Sequence, residues 1–179
     1  SVCTTSVLNI TMVTTGTCTI VASQSGTGNY NAATNVSHSF TIQDTTAPTV
    51  SSTSITSSAG VDNTYVAGDS IQATVNFSEA VTVTGTPTIT VLVGSTNRSA
   101  SYVSGSGTTA LVFGYTVVSG DNDTNGISVT TNTLSANGGT IRDASSNNAT
   151  LTNALISASL SHLVDTTAPT VSMARSGSG

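Results

Sequence analysis

The sequence predicts an all-β chain folded as a β-sandwich, and three observations carry that expectation. Apolar residues recur in short runs at a two-residue beat, turn-forming Gly, Asn, Asp and Ser stand between the runs, and no window shows helical spacing. The clearest run is Ser70 to Phe77, where Ile71, Ala73, Val75 and Phe77 alternate with Ser70, Gln72, Thr74 and Asn76. A strand of that kind buries one face and wets the other, as a sheet covering one side of a core does.

The octapeptide "DTTAPTVS" occurs at 44 to 51 and again at 165 to 172, 121 positions apart (165 minus 44). An identical stretch at that distance predicts a structural unit of about 120 residues counted out twice. From its first copy, seven strands follow near residues 48–55, 69–77, 87–93, 98–103, 109–117, 127–131 and 154–164. Ile89, Val91 and Val93 share a face in the third, and Leu111, Phe113, Tyr115 and Val117 do so in the fifth. Ile156, Ala158, Leu160 and Val164 do so in the seventh, "SEAVTVTG" with Glu79 is a connection, and "GSGTT" near Gly105 is a hairpin turn. Seven short, half-buried strands describe a sandwich of immunoglobulin type. A β-solenoid would need a repeat of about 20 residues, which the chain lacks.

The flanks read as partial. Residues 1–43 hold three or four strands, with Val36, His38, Phe40 and Ile42 on one face, too little to bury a core alone. After Asp165 only one strand is expected, Thr170 to Ala174. The expected organisation is therefore the C-terminal part of one repeat (1–43), a complete repeat (44–164) and the first strand of a third (165–179), within a longer array.

Among 179 residues there is no Lys, the only cations besides two His are Arg98, Arg142 and Arg175, and eight carboxylates bring the net charge to -5. Phosphate binding needs clustered basic residues, so nucleic acid is excluded as an expected partner. No apolar run reaches the roughly eighteen residues of a membrane-spanning helix. Hydrophobic content of 36% argues for a folded chain despite the scarcity of charge. Cys3 and Cys18 fall in adjacent predicted strands, where a disulfide closing a loop of about 15 residues would add on the order of 3 kcal/mol. The alternative is two small buried hydrophobes, and two cysteines without further ligands make no zinc site.

If successive strands run in opposite directions, the acids gather at the two ends of the complete unit. Asp62, Asp69, Asp121, Asp123 and Asp165 fall at one end, and Asp44, Glu79 and Asp143 at the other. Stacking one unit on the next would bring the two sets together, and hard oxygen ligands gathered that way suit Ca²⁺. In "DNDTNG", Asp121, Asp123, Asn125 and Gly126 fit positions one, three, five and six of an EF-hand-type loop. Position twelve is Asn132, and no flanking helices are predicted, so binding there is expected to be weak, about 10⁻⁴ to 10⁻³ M. The competing reading is a tight turn built from residues that tolerate left-handed backbone. For Asp44 and Asp165 it is a strand end before Pro48 and Pro169.

His38 and His162 are read as structural, each on the inward register of its strand. No nucleophile elbow and no spaced His and Asp pair accompanies the many serines, so no catalysis is expected. With no Trp, four Tyr and three Phe, a carbohydrate-binding platform is disfavoured.

The segments "DTTAPTVS", "YVAGDSIQATVNFSEAVTVTGTPTITV", "SYVSGSGTTALVFGYTVVSGDNDTNGISV", "NGGTIRDASSNNATL" and "VDTTAP" resemble the tandem bacterial Ig-like repeats of very large surface adhesins. Residues 1–43, through "TGTCTIVASQSGTGNYNAA", resemble the closing half of a different bacterial Ig-like repeat, of a kind that often carries a Cys pair. The resemblance implies an extracellular stalk or fibre, on a bacterial surface or secreted, without catalysis and with calcium stiffening the joints. Two forms remain open. One is a spacer whose partners are neighbouring repeats, with any host or surface glycan bound by regions outside this segment. The other is a filament in which the strand at Thr170 to Ala174 of one copy completes residues 1–43 of the next by donor-strand addition.

Overall fold

The computed structural model describes residues 1–6 and 9–173. The chain divides into two compact units, Ser1–Thr46 and Ala47–Gly179, and the division falls inside the first octapeptide. All regular structure among the described residues is β, with no helix.

In the first unit, β1 (Cys3–Ser6) pairs antiparallel with β2 (Asn9–Met12), and β3 (Gly16–Gln24) with β4 (Ala33–Ile42). Cys18 lies opposite Phe40 and Ile20 opposite His38, so these four side chains share a face. The Cys3–Cys18 disulfide ties β1 to β3, with Cα atoms 5.6 Å apart, within the usual range for such a bridge. Cys18 is the only fully buried apolar side chain of this unit among the described residues, while Met12 and Val36 stay about two-thirds exposed. His38 is exposed rather than inward. It stands on the Cys18 face, but few side chains cover that face at its position.

The second unit holds β5 (Val50–Ile55), β6 (Thr64–Tyr65), β7 (Ser70–Thr84), β8 (Thr88–Val93), β9 (Thr96–Ser104), β10 (Thr108–Thr116), β11 (Asn122–Asp123), β12 (Ser128–Val129), β13 (Thr140–Arg142) and β14 (Leu163–Asp165). Its main sheet runs β12-β8-β9-β10-β7-β13, with β5 also on β7, and a small sheet runs β11-β14-β6. The alternation of β7 works as expected: Ile71, Ala73, Val75 and Phe77 are all buried. They pack with Ile89, Val91, Leu111, Phe113, Val129 and Val164 into one core. Burying such side chains is worth roughly 1.5 to 3 kcal/mol each.

Three expected elements differ. The strand near 69–77 does not stop at a connection but continues to Thr84, because Val81 and Val83 keep the beat and pack inward. A bulge marks the place. Ala110 pairs with Asn76 and Thr108 with Val81, so four residues of β7 (77–80) face one of β10 (109). Glu79 stands in this bulge, where β7 exchanges β5 for β13 as its neighbour.

The strand expected over 154–164 reduces to an isolated bridge at Ile156 and the three residues of β14. Val129 exchanges backbone bonds with Ile156, and Ile127 donates to His162. Only Ser128 separates Ile127 from Val129, whereas 157–161 separate Ile156 from His162, so those residues loop out and Leu160 is 68% exposed. Residues 170–173 form no strand and are exposed; Ala174, the last residue of the expected strand, lies outside the described residues.

Candidate functional site

The acids of the second unit fall into two groups. Seven regular residues of β7, Ser70 to Asn76, roughly 23 Å of strand at its usual rise, separate Asp69 from the bulge that holds Glu79.

The first group surrounds the point where the chain leaves β14. Asn122 pairs with Asp165 and Asp123 with Val164, while Val164 pairs with Tyr65 on the other side. Thr166 donates its hydroxyl to the Asp121 carbonyl and accepts from the Gly120 N–H, which fixes the start of the second octapeptide against the "DNDTNG" loop. Asp165 Oδ1 accepts the Thr167 N–H at 2.8 Å and its side chain is exposed. A recess of about 390 Å³ opens here, lined by Thr64, Asn122, Asp123, Thr124 and Asp165. Asp69 accepts the Val117 N–H through its carbonyl, and its Oδ2 accepts the Val66 N–H.

Asp121 is buried, and its two oxygens accept from the Arg98 guanidinium, the Tyr115 hydroxyl and the Val118 N–H. Burial alone would raise its pKa, but the bonds from Tyr115, Val118 and Arg98 outweigh burial and hold it below the ordinary carboxylate range. Burial, then the bond to Asp121 and its charge, push Tyr115 up to about 12. Arg98 also lies over the Tyr115 ring, 6.0 Å from its centroid.

Asp123 is equally buried. Its Oδ1 accepts the Asn125 and Gly126 N–H groups, and its Oδ2 accepts the Gly94 N–H at 2.7 Å. Gly94 has φ +58°, and a Cβ there would meet the Asn122 carbonyl at 2.5 Å, so only glycine lets the β8–β9 turn approach this closely. Asn125 contributes its backbone, with its side chain in solvent. "DNDTNG" thus has the hydrogen bonding of a turn that caps itself, and a cation at Asp121 or Asp123 would have to displace or share these donors.

The second group is Glu79 and Asp143, whose carboxylate oxygens come within 4.8 Å of each other. The pair meets because the β7 bulge places Glu79 one strand pairing away from β13, which ends at Arg142. Asp143 Oδ1 accepts the Asn147 N–H and Oδ2 its side-chain amide, both at 2.8 Å. Burial works against the ionised form, but these bonds, with those from Ser145 and Ser146, hold its pKa low. Asp44 belongs to the first unit, where its Oδ1 accepts the Thr46 N–H at 2.8 Å.

Two features escaped sequence reasoning. Arg98 and Asp121 are 23 residues apart, and their signal was the rarity of cations in this chain. Asn153 is buried; its Oδ1 accepts the Thr133 and Leu134 N–H groups and its Nδ2 donates to the Thr130 carbonyl, pinning a loop through a residue indistinguishable from the many other Asn. His162, expected on the inward register of the last strand, is half-buried just before β14, its ring stacked on Tyr65 with centroids 6.2 Å apart.

Among the described residues the structure is all-β with one disulfide, and no helix is long and apolar enough to cross a membrane. Comparison with known protein families, curated proteins and solved structures gave no match.

Proposed function

We propose that this chain is a structural segment of a bacterial extracellular adhesin or surface fibre, made of Ig-like β-sandwich repeats in tandem and acting as a calcium-stiffened spacer. The observation that carries the reading is the placement of the carboxylates of the second unit. They form two groups separated along β7, and one of them surrounds the point where the second octapeptide continues from β14. The position of the first octapeptide across the division of the chain supports the same reading, as does the disulfide, which persists in oxidising surroundings.

Glu79 and Asp143 offer hard oxygens at a spacing that one ion spans, and Asp165 offers an exposed carboxylate beside the recess. Asp44, three residues before the second unit in sequence, and Asp69 complete the candidate set, with Asp121, Asp123 and Asn125 as ligands only where calcium competes with the turn. Bound calcium would supply charge neutralisation where like-charged ends meet. Calorimetric calcium titration of the wild type, Glu79→Gln and Asp165→Asn tests this. Heat that falls in either variant supports the assignment, and no heat at millimolar calcium rejects it. The spacer does no chemistry of its own, and a hydrolase screen that found turnover would overturn that part of the reading.

A second reading, a self-assembling filament, is favoured by one observation. Val171 and Met173 are about nine-tenths exposed, while the first unit leaves Met12 and Val36 uncovered. A strand from one copy laid on the first unit of another would bury both sets. Size-exclusion chromatography separates the readings: a 17.7 kDa monomer supports the spacer, and long fibres support the filament.

A further inference from the structure

The chain contains two Asn-Gly dipeptides, Asn125–Gly126 and Asn137–Gly138, and the structure treats them in opposite ways. We propose that Asn137 is a site of spontaneous deamidation and isoaspartate formation in the folded protein, while Asn125 is protected from it.

The chemistry needs the backbone nitrogen of the following residue. That nitrogen loses its proton and attacks the asparagine Cγ, a C–N bond forms, and the side-chain nitrogen leaves as ammonia. Water then opens the succinimide at either carbonyl, giving aspartate or isoaspartate. Water is consumed, ammonia is released and nothing is oxidised. Glycine favours the step because no Cβ obstructs the approach and its backbone is free to turn.

At Asn137 the requirements are met. Asn137 and Gly138 are the central residues of a turn closed by the Gly139 N–H donating to the Ala136 carbonyl, with φ +47° and +79° as a type I′ turn demands. Both are exposed, a Cβ on Gly138 would meet nothing within 4 Å, and the Gly138 N–H donates to no group among the described residues. The attacking nitrogen is therefore in water, with room around it for a ring. What holds the side chain is one bond from Asn137 Nδ2 to the Thr86 carbonyl at 3.1 Å, on an exposed side chain.

At Asn125 they are not. The Gly126 N–H is donated to Asp123 Oδ1 at 2.9 Å, Gly126 is buried, and a Cβ on it would lie 2.0 Å from the Ser159 carbonyl oxygen. The nitrogen that would attack is occupied by a carboxylate and packed against backbone. Asp123 and Ser159 together lock the dipeptide.

Reaction at Asn137 adds one negative charge, taking the net from -5 to -6 (-5 minus 1). It also removes the donor that ties the 136–139 turn to Thr86 and sets a carboxylate against that carbonyl, so the junction where β13 pairs with the end of β7 loosens.

The test is to incubate the whole chain folded, and in parallel in urea, in mildly alkaline buffer, and to map peptides by mass spectrometry with isoaspartate-specific methylation as a second readout. In the folded chain, product at 137 should outrun product at 125 by roughly tenfold or more, since reaction at Asn125 waits for local opening. In urea the two should react at similar rates. Gly138→Ala, whose methyl meets nothing within 4 Å but whose φ of +79° strains the turn, should slow product at 137 and leave 125 unchanged. Equal rates at the two sites in the folded chain, or no difference between Asn137 and asparagines not followed by glycine, would overturn the proposal.

Discussion

The guanidinium of Arg98 on β9 is bonded to the carboxylate of Asp121, a side chain almost wholly out of water. The charge pair joins β9, which lies between β8 and β10 in the main sheet, to the loop that precedes β11, and Tyr115 donates to the same carboxylate. Replacing Arg98 with Ala leaves a buried charge with two donors instead of three. Because Arg98 is itself 30% exposed, the expected loss is roughly 2 kcal/mol, below the 3 to 5 of a fully buried pair. Urea denaturation of Arg98→Ala, Asp121→Asn and the double variant should show a coupling energy between the two; additive losses would mean the contact carries nothing.

Acid should destabilise the second unit. Asp121 and Asp143 have depressed pKa values in the folded state. The stability they contribute is present above the ordinary carboxylate range and disappears as pH falls through the depressed values. Tyr115 behaves oppositely. Its contribution is intact below pH 10.0 and is lost as pH rises toward about 12. Thermal melts across pH should fall at both limits, and Tyr115→Phe should flatten the alkaline one.

Reduction should affect one unit and spare the other. The first unit has a single fully buried apolar side chain among its described residues, Cys18, so the bridge to Cys3 substitutes for a core. Cys3→Ser with Cys18→Ser should cost on the order of 3 kcal/mol and expose residues 1–46 to protease. A fragment beginning near Ala47 should survive digestion.

Two apolar truncations should give opposite results. Phe113→Ala removes a fully buried ring and should cost about 3 to 5 kcal/mol. Leu160→Ala, in the looped-out segment, should change chemical stability by less than about 0.5 kcal/mol. A large loss at Leu160 would restore the continuous last strand that its alternation suggests.

The core face of β7 was legible because a period of two over eight residues has few other meanings. The same rule misled at 154–164, where Ile156, Ala158 and Leu160 keep the beat but residues 157–161 leave the ladder and Asn153 takes over backbone bonding. β13 escaped because its three residues sit among turn formers. Strand direction predicts acids gathered at two ends, but it puts Glu79 in a connection, whereas Glu79 stands within β7 at the bulge. The donors that occupy the acids, Gly94, Asn147 and Tyr115, were not legible, since each comes from another part of the chain or a turn whose geometry composition does not specify.

The calcium-stiffened spacer is tested most directly by small-angle X-ray scattering of the whole chain, recorded in millimolar calcium and again in chelator. The account predicts a longer, narrower distribution of interatomic distances with calcium, and a shorter, broader one without it. Superimposable profiles under the two conditions would contradict it.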